Sequence, residues 1–189
     1  MSIAADNWFS KHRISVDEYY RMAEVGLLAR DARVELIEGE VFDMAPIGIG
    51  HAYTVDALNQ ILWRAVGDLA VVAVQRPLRL DTRSEPQPDL ALLTAPITRY
   101  SKRHPAAGDV LLLIEVCDTS LRYDREITVP LYARHAIPEV WLIDIAAKQV
   151  HCLRQPVGDA YAEVRMLNPG TIALTALPEV SVDLSDLFG

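Results

Sequence analysis

The sequence predicts an α/β fold in which a mixed β-sheet is flanked by helices. Three observations carry that expectation. Two continuous apolar runs, "DVLLLIEVC" (109–117) and "PEVWLIDI" (138–145), read as strands buried on both faces. The middle of the chain runs strand, strand, helix, strand, the order of a mixed sheet with helices packed on it. The 189 residues, 51% hydrophobic and 23% charged, suit one compact domain spanning 1–189 and exclude a disordered polar chain.

The elements follow in order. Residues 1–13 are expected to form a loose arm. "ISVDEYYRMAEVG" (14–26) opens a helix: Ser15 and Glu18 have capping-box spacing, and Gly26 suits its end. "RVELIEGEVFDM" (33–44) reads as a tight hairpin around Glu38-Gly39. "PIGIG" breaks the chain. From His51 to Val66, Val55, Leu58, Ile61, Leu62 and Ala65 recur at helical spacing. "LAVVAVQRPLRL" (69–80) is strand-like, either two strands or one bent at Pro77. A proline-rich turn, "SEPQP", precedes a strand from Leu90. "APITRYSKRHPAAGD" (95–109) is a long connection. "YDREITVPLYARHA" (123–136) reads as a helix that Pro130 either kinks or enters in its first turn. "QVHCLRQ" and "YAEVRML" make a late hairpin. The apolar tail is expected to dock on the body.

The bulk numbers restrict function. A net charge of −8 and a pI near 5.1 give no general attraction to nucleic acid, so any such contact needs a local basic patch. Cys117 and Cys152 fit neither a disulfide framework nor a zinc spacing and read as buried thiols. The chain shows no signal-peptide pattern and no apolar stretch long enough for a membrane span, so a cytoplasmic location is expected.

The residue that demands explanation is Glu115, a carboxylate inside a buried strand. Such a group is costly unless paired, hydrogen-bonded or metal-bound. Asp89 follows "EPQP" at the mouth of the preceding strand, and Glu35 lies in "RVELIEGE". Carboxylates on neighbouring strands can share a cation such as Mg²⁺, which favours one or two carboxylates plus waters and phosphate. The other reading pairs Glu115 with Arg122 or Arg125. "RYSKRH" gathers Arg99, Lys102, Arg103 and His104 around Tyr100. It is either a phosphate grip or a solvated connection. His51 either caps its helix or contacts phosphate. Gln75 either lies beside the site or makes a hydrogen bond at its rim, and Tyr132 and Trp141 read as core.

These pieces together, "VELIEGEVFDMAP", His51, "EPQPDLALL", "LLLIEVCDTS" and "YDREITVPLYARHAIPEVWLIDI", resemble the Uma-type endonuclease family of the PD-(D/E)XK, or restriction-endonuclease-like, superfamily. The resemblance covers the chain from about Ser15 onward. It implies a mixed four-to-five-stranded sheet flanked by helices and hydrolysis of DNA phosphodiester bonds with Mg²⁺ or Mn²⁺. It also implies that Asp89 and Glu115 hold the metal, that Glu35 supports it, and that His51 faces the site. The sequence departs from the pattern at the lysine. The superfamily position, two after the glutamate, is Cys117. The alternative position on the following helix, in D-R-E-x-K-x-x-L-Y, is Thr128. Arg125, three residues before Thr128, is expected on the same helical face and so near the site. The departure keeps open a second function, a nuclease-like fold that binds DNA or a partner without cutting. The tail and late hairpin offer a surface for a homodimer.

Overall fold

A computed structural model describes residues 10–29 and 31–188. Helix α1 (Val16–Glu24) starts at Ser15, whose side chain accepts from the Glu18 N–H while Glu18 reaches back to the Ser15 N–H, the expected capping box. Strands β1 (Val34–Ile37) and β2 (Glu40–Asp43) form the expected hairpin. Its turn places Glu38 and Gly39 both at positive φ, the pattern of a type I′ turn. The larger part of the expected arm lies outside the described residues. Lys11 is held by Glu40, and Arg13 donates to the Glu38 carbonyl.

Helix α2 (Ile49–Val66) leads into β3 (Ala70–Val74). After β3 the chain leaves the sheet for a long excursion and returns as β4 (Leu90–Thr94). Strand β5 (Val110–Cys117) is followed by a helical segment: α3 (Leu121–Tyr123), a π turn (Asp124–Thr128) and α4 (Val129–Arg134). Then come β6 (Glu139–Asp144), the hairpin β7 (Gln149–Val157) and β8 (Ala160–Leu167), and a small pair, β9 (Thr171–Ala173) with β10 (Ser181–Asp183).

The main sheet has six strands in the order β3-β4-β5-β6-β7-β8, one or two more than the resemblance implies. Within it only β5 and β6 run parallel, and the α3–α4 segment makes that crossover. Strands β5 and β6 are buried along nearly their whole length, as their apolar runs predict. Alternation sorts their side chains into two cores. Leu112, Ile114, Val116, Trp141 and Ile143 pack under α2 together with the tail residues Val182, Leu184 and Leu187. Leu113, Cys117, Val140 and Leu142 pack with Tyr132 and Ala133 of α4. The tail therefore docks as expected.

Pro130 explains the π turn. Proline has no N–H to donate, and in an α-helix its ring would strike the carbonyl four residues back, that of Glu126. The chain widens just before it, and the Val129 N–H donates five residues back to the Asp124 carbonyl.

Candidate active site

The site lies where β4 begins and β5 ends. Leu90 pairs with Ile114, so Asp89 and Glu115 are neighbours one step beyond that pair. Past the register shift near the start of β5, odd-numbered residues of both strands face the α4 side, and Asp89 and Glu115 share it. The Asp89 N–H donates to Glu115 Oε2 (3.2 Å), and the Val116 N–H donates to Asp89 Oδ2 (2.9 Å). Both carboxylates line one cavity of about 360 Å³, together with Glu35, His51, Asp124 and Thr128.

Glu115 has no cationic partner among the described residues. Arg122 is bonded to Glu126, and Arg125 donates to His151 Nδ1 (2.8 Å). Instead the Tyr132 hydroxyl donates to Glu115 Oε1 (2.6 Å). Tyr132 is core, as its sequence pattern suggests, yet its polar end serves the site. Burial drives the Glu115 carboxyl well above the ordinary range, and the nearby Asp89 and Asp124 charges push the same way. Burial also raises Glu35 and Asp124. Glu35 points into the cavity as expected, taking the Gln87 N–H (3.3 Å) and the Tyr123 hydroxyl (3.2 Å). Its turn neighbour Glu38 points out to Arg134.

His51 makes no capping bond. Its Nε2 lies 3.0 Å from Asp89 Oδ2, and that bond raises its pKa against the opposing effect of burial. Gln75 is also closer than a rim residue: its amide donates to Asp89 Oδ1 (3.3 Å).

One expectation about cations is corrected, and one open reading is narrowed. Arg125 does not share the face of Thr128. Thr128 lines the acidic cavity, whereas Arg125 lines a separate groove beside His151. The i,i+3 rule assumes an α-helical twist, and the π turn between these residues breaks it. The basic cluster is likewise not a free grip. Arg103 is paired with the buried Asp109 through both terminal guanidinium nitrogens, Arg99 lies 3.6 Å from the same carboxylate, and Arg103 stacks over Tyr100. The cluster follows the far end of β4, and Arg99, Lys102 and Arg103 are absent from the cavity wall.

Sequence reasoning missed Asp124. It is buried at the start of the π turn and joins the two residues that replace the expected lysine. Cys117 Sγ–H donates to Asp124 Oδ2 (3.3 Å) and Thr128 Oγ1–H donates to Oδ1 (3.4 Å). The signal was the aspartate of "DRE", two residues beyond Arg122, one of the two arginines that the sequence offers to Glu115.

The wall thus carries six carboxyl groups, on Glu35, Asp43, Asp89, Glu115, Asp118 and Asp124, against the guanidinium of Arg33 and the titratable imidazole of His51 among the described residues. Among those residues no group of three or more His, Cys, Asp or Glu forms a ready cation cage. The donor set fits Mg²⁺ or Mn²⁺ bound by two carboxylates, with water and phosphate completing the sphere.

A family model described as Uma2, putative restriction endonuclease, matches residues 16–185. The chain belongs to the Uma2 family. A similar solved structure, titled a putative nuclease belonging to DUF820 from Anabaena variabilis, superposes with a TM-score of 0.70 at 18% identity. The superposition covers 93% of this chain and 97% of that one. At that identity the likeness shows a shared fold. No curated protein matches. Among the described residues of this Uma2 chain, no helix is long and apolar enough to cross a membrane.

Proposed function

We propose that this Uma2 chain is a divalent-metal-dependent endonuclease that hydrolyses DNA phosphodiester bonds in the acidic cavity. The observation that carries the reading is Glu115: a buried carboxylate beside two others, with no cationic side chain among the described residues to balance it. An anionic cavity repels phosphate, and a bound cation reverses that sign.

Asp89 and Glu115 would hold Mg²⁺ or Mn²⁺, which when bound polarises a phosphate oxygen and lowers the pKa of a water. The other groups act on their own account. Tyr132 and the Asp89 N–H fix Glu115, while Val116, His51 and Gln75 fix Asp89. Glu35, held by Tyr123, orients water on the opposite wall. Thr128 and Cys117 stand at the positions where an ammonium would offset phosphorane charge, and each spends its single donor on Asp124, so cleavage is slow. Arg33 is the guanidinium on the wall available to a phosphate oxygen.

One observation favours a second reading, binding without cutting: both lysine positions are neutral, and both are turned onto Asp124. Thermal-shift titration with Mg²⁺ and Mn²⁺, followed by incubation with supercoiled plasmid, separates the two. Metal-dependent nicking that Asp89→Asn abolishes supports the enzyme. Metal stabilisation and DNA retention without nicking support the binder.

A further inference from the structure

Gln75 closes β3 in a backbone conformation that its residue type avoids. Its φ is +45°, in the left-handed region, where Cβ crowds the backbone and where glycine, asparagine and aspartate are favoured. Strained residues of this kind persist where the surroundings hold them, and they concentrate at functional sites.

The surroundings here are Asp89. The Gln75 N–H donates to the Asp89 carbonyl (3.0 Å), which carries the β3–β4 pairing one step past Val74 and Leu90. The left-handed turn then sends the chain out of the sheet toward Arg76-Pro77. The side-chain amide remains over the carboxylate and donates to Oδ1 (3.3 Å). The other oxygen, Oδ2, already takes the Val116 N–H and His51. Without Gln75 the two contacts on Oδ2 leave the carboxylate free to swing about that oxygen.

We propose that Gln75 is a positioning residue for the Asp89 carboxylate, and that its amide sets how tightly the cavity takes up a divalent cation. The inference rests on the metal-site reading and adds to it a group outside the cavity wall. A hydrogen bond to a ligating side chain fixes the ligand's direction, and losing such a bond typically costs about 10–100-fold in metal affinity. The strain at Gln75 is then retained because no residue more at ease there presents an amide at that reach.

The test is calorimetric titration of Mn²⁺ into the full chain, with Tm and the Mn²⁺ electron paramagnetic resonance spectrum recorded alongside. Gln75→Asn suits the left-handed backbone but is one methylene too short to reach Oδ1. Gln75→Gly suits it with no side chain at all. The expected result for both variants is a Tm equal to or above the wild type, a Mn²⁺ Kd weaker by about 10–100-fold, and an altered spectrum. A merely structural turn residue would move Tm and leave Kd and the spectrum alone. Unchanged Kd and spectrum in both variants, while Glu115→Gln abolishes uptake, would overturn the role of Gln75 and leave the metal site standing. No Mn²⁺ uptake by wild type would overturn both.

Discussion

Asp89 and Glu115 are cross-tied: the Asp89 N–H donates to the Glu115 carboxylate, while Asp89's own carboxylate takes the N–H next along Glu115's strand, that of Val116. Each acid is thus fixed by the backbone of the antiparallel pair β4–β5. Backbone donors cannot be removed by side-chain substitution, so variants at either position alter charge while keeping the frame.

Glu115→Gln removes a buried charge and keeps the shape. The introduced amide can still accept from the Asp89 N–H and donate to the Tyr132 oxygen. In the wild type, burial raises Glu115, Glu35 and Asp124, so the folded state holds protons that the unfolded chain releases above about pH 4–4.5. Their contribution is therefore full at low pH and lost as pH rises through the raised values. In EDTA, wild-type Tm should fall as pH rises above the ordinary carboxylate range, and that of Glu115→Gln should fall less. Equal slopes would show that Glu115 is not the uncompensated group.

Thr128→Lys places an ammonium against Asp124, whose Oδ1 already takes the Thr128 hydroxyl. It should pair with that carboxylate, lower its pKa and supply the missing charge at the phosphate. Mg²⁺-dependent nicking of plasmid should rise at least about 10²-fold, the low end of a positioned acid–base group. Arg125→Ala should leave nicking unchanged, since that guanidinium lies on His151 in another groove. Loss of activity in Arg125→Ala would contradict its placement.

Arg103→Ala should act on stability. It strips the close cation from Asp109, a buried acid whose pKa is held low chiefly by Arg103, leaving it the Ala106 N–H and the more distant Arg99. A loss of stability follows, read by urea denaturation. Lys102→Ala should be neutral in stability. Neither should change the salt dependence of DNA binding by a full phosphate contact. A flattened salt slope in both would restore the cluster as a phosphate grip.

The sheet was legible because β5 and β6 are unbroken apolar runs, and Glu115 stood out as the acid inside one of them. Asp89 was legible from its place after a proline-rich turn at a strand's start. Asp124 was not, because "YDRE" looks like a solvated helix face. Its burial comes from a π turn set by Pro130, six residues on, which i,i+3 and i,i+4 spacing does not encode. The same turn misplaced Arg125. "RYSKRH" stayed open between two readings because clustered bases do not reveal that one acid, Asp109, engages two of them. Gln75 was undervalued because its contact with Asp89 depends on a backbone angle that the sequence does not announce.

Anomalous diffraction from crystals soaked in Mn²⁺ tests the central claim most directly. One peak is expected between the carboxylates of Asp89 and Glu115, within about 2–2.4 Å of an oxygen of each, and absent from Asp89→Asn crystals soaked alongside. No peak there, or a peak confined to Glu35 and Asp118 on the rest of the wall, would contradict it.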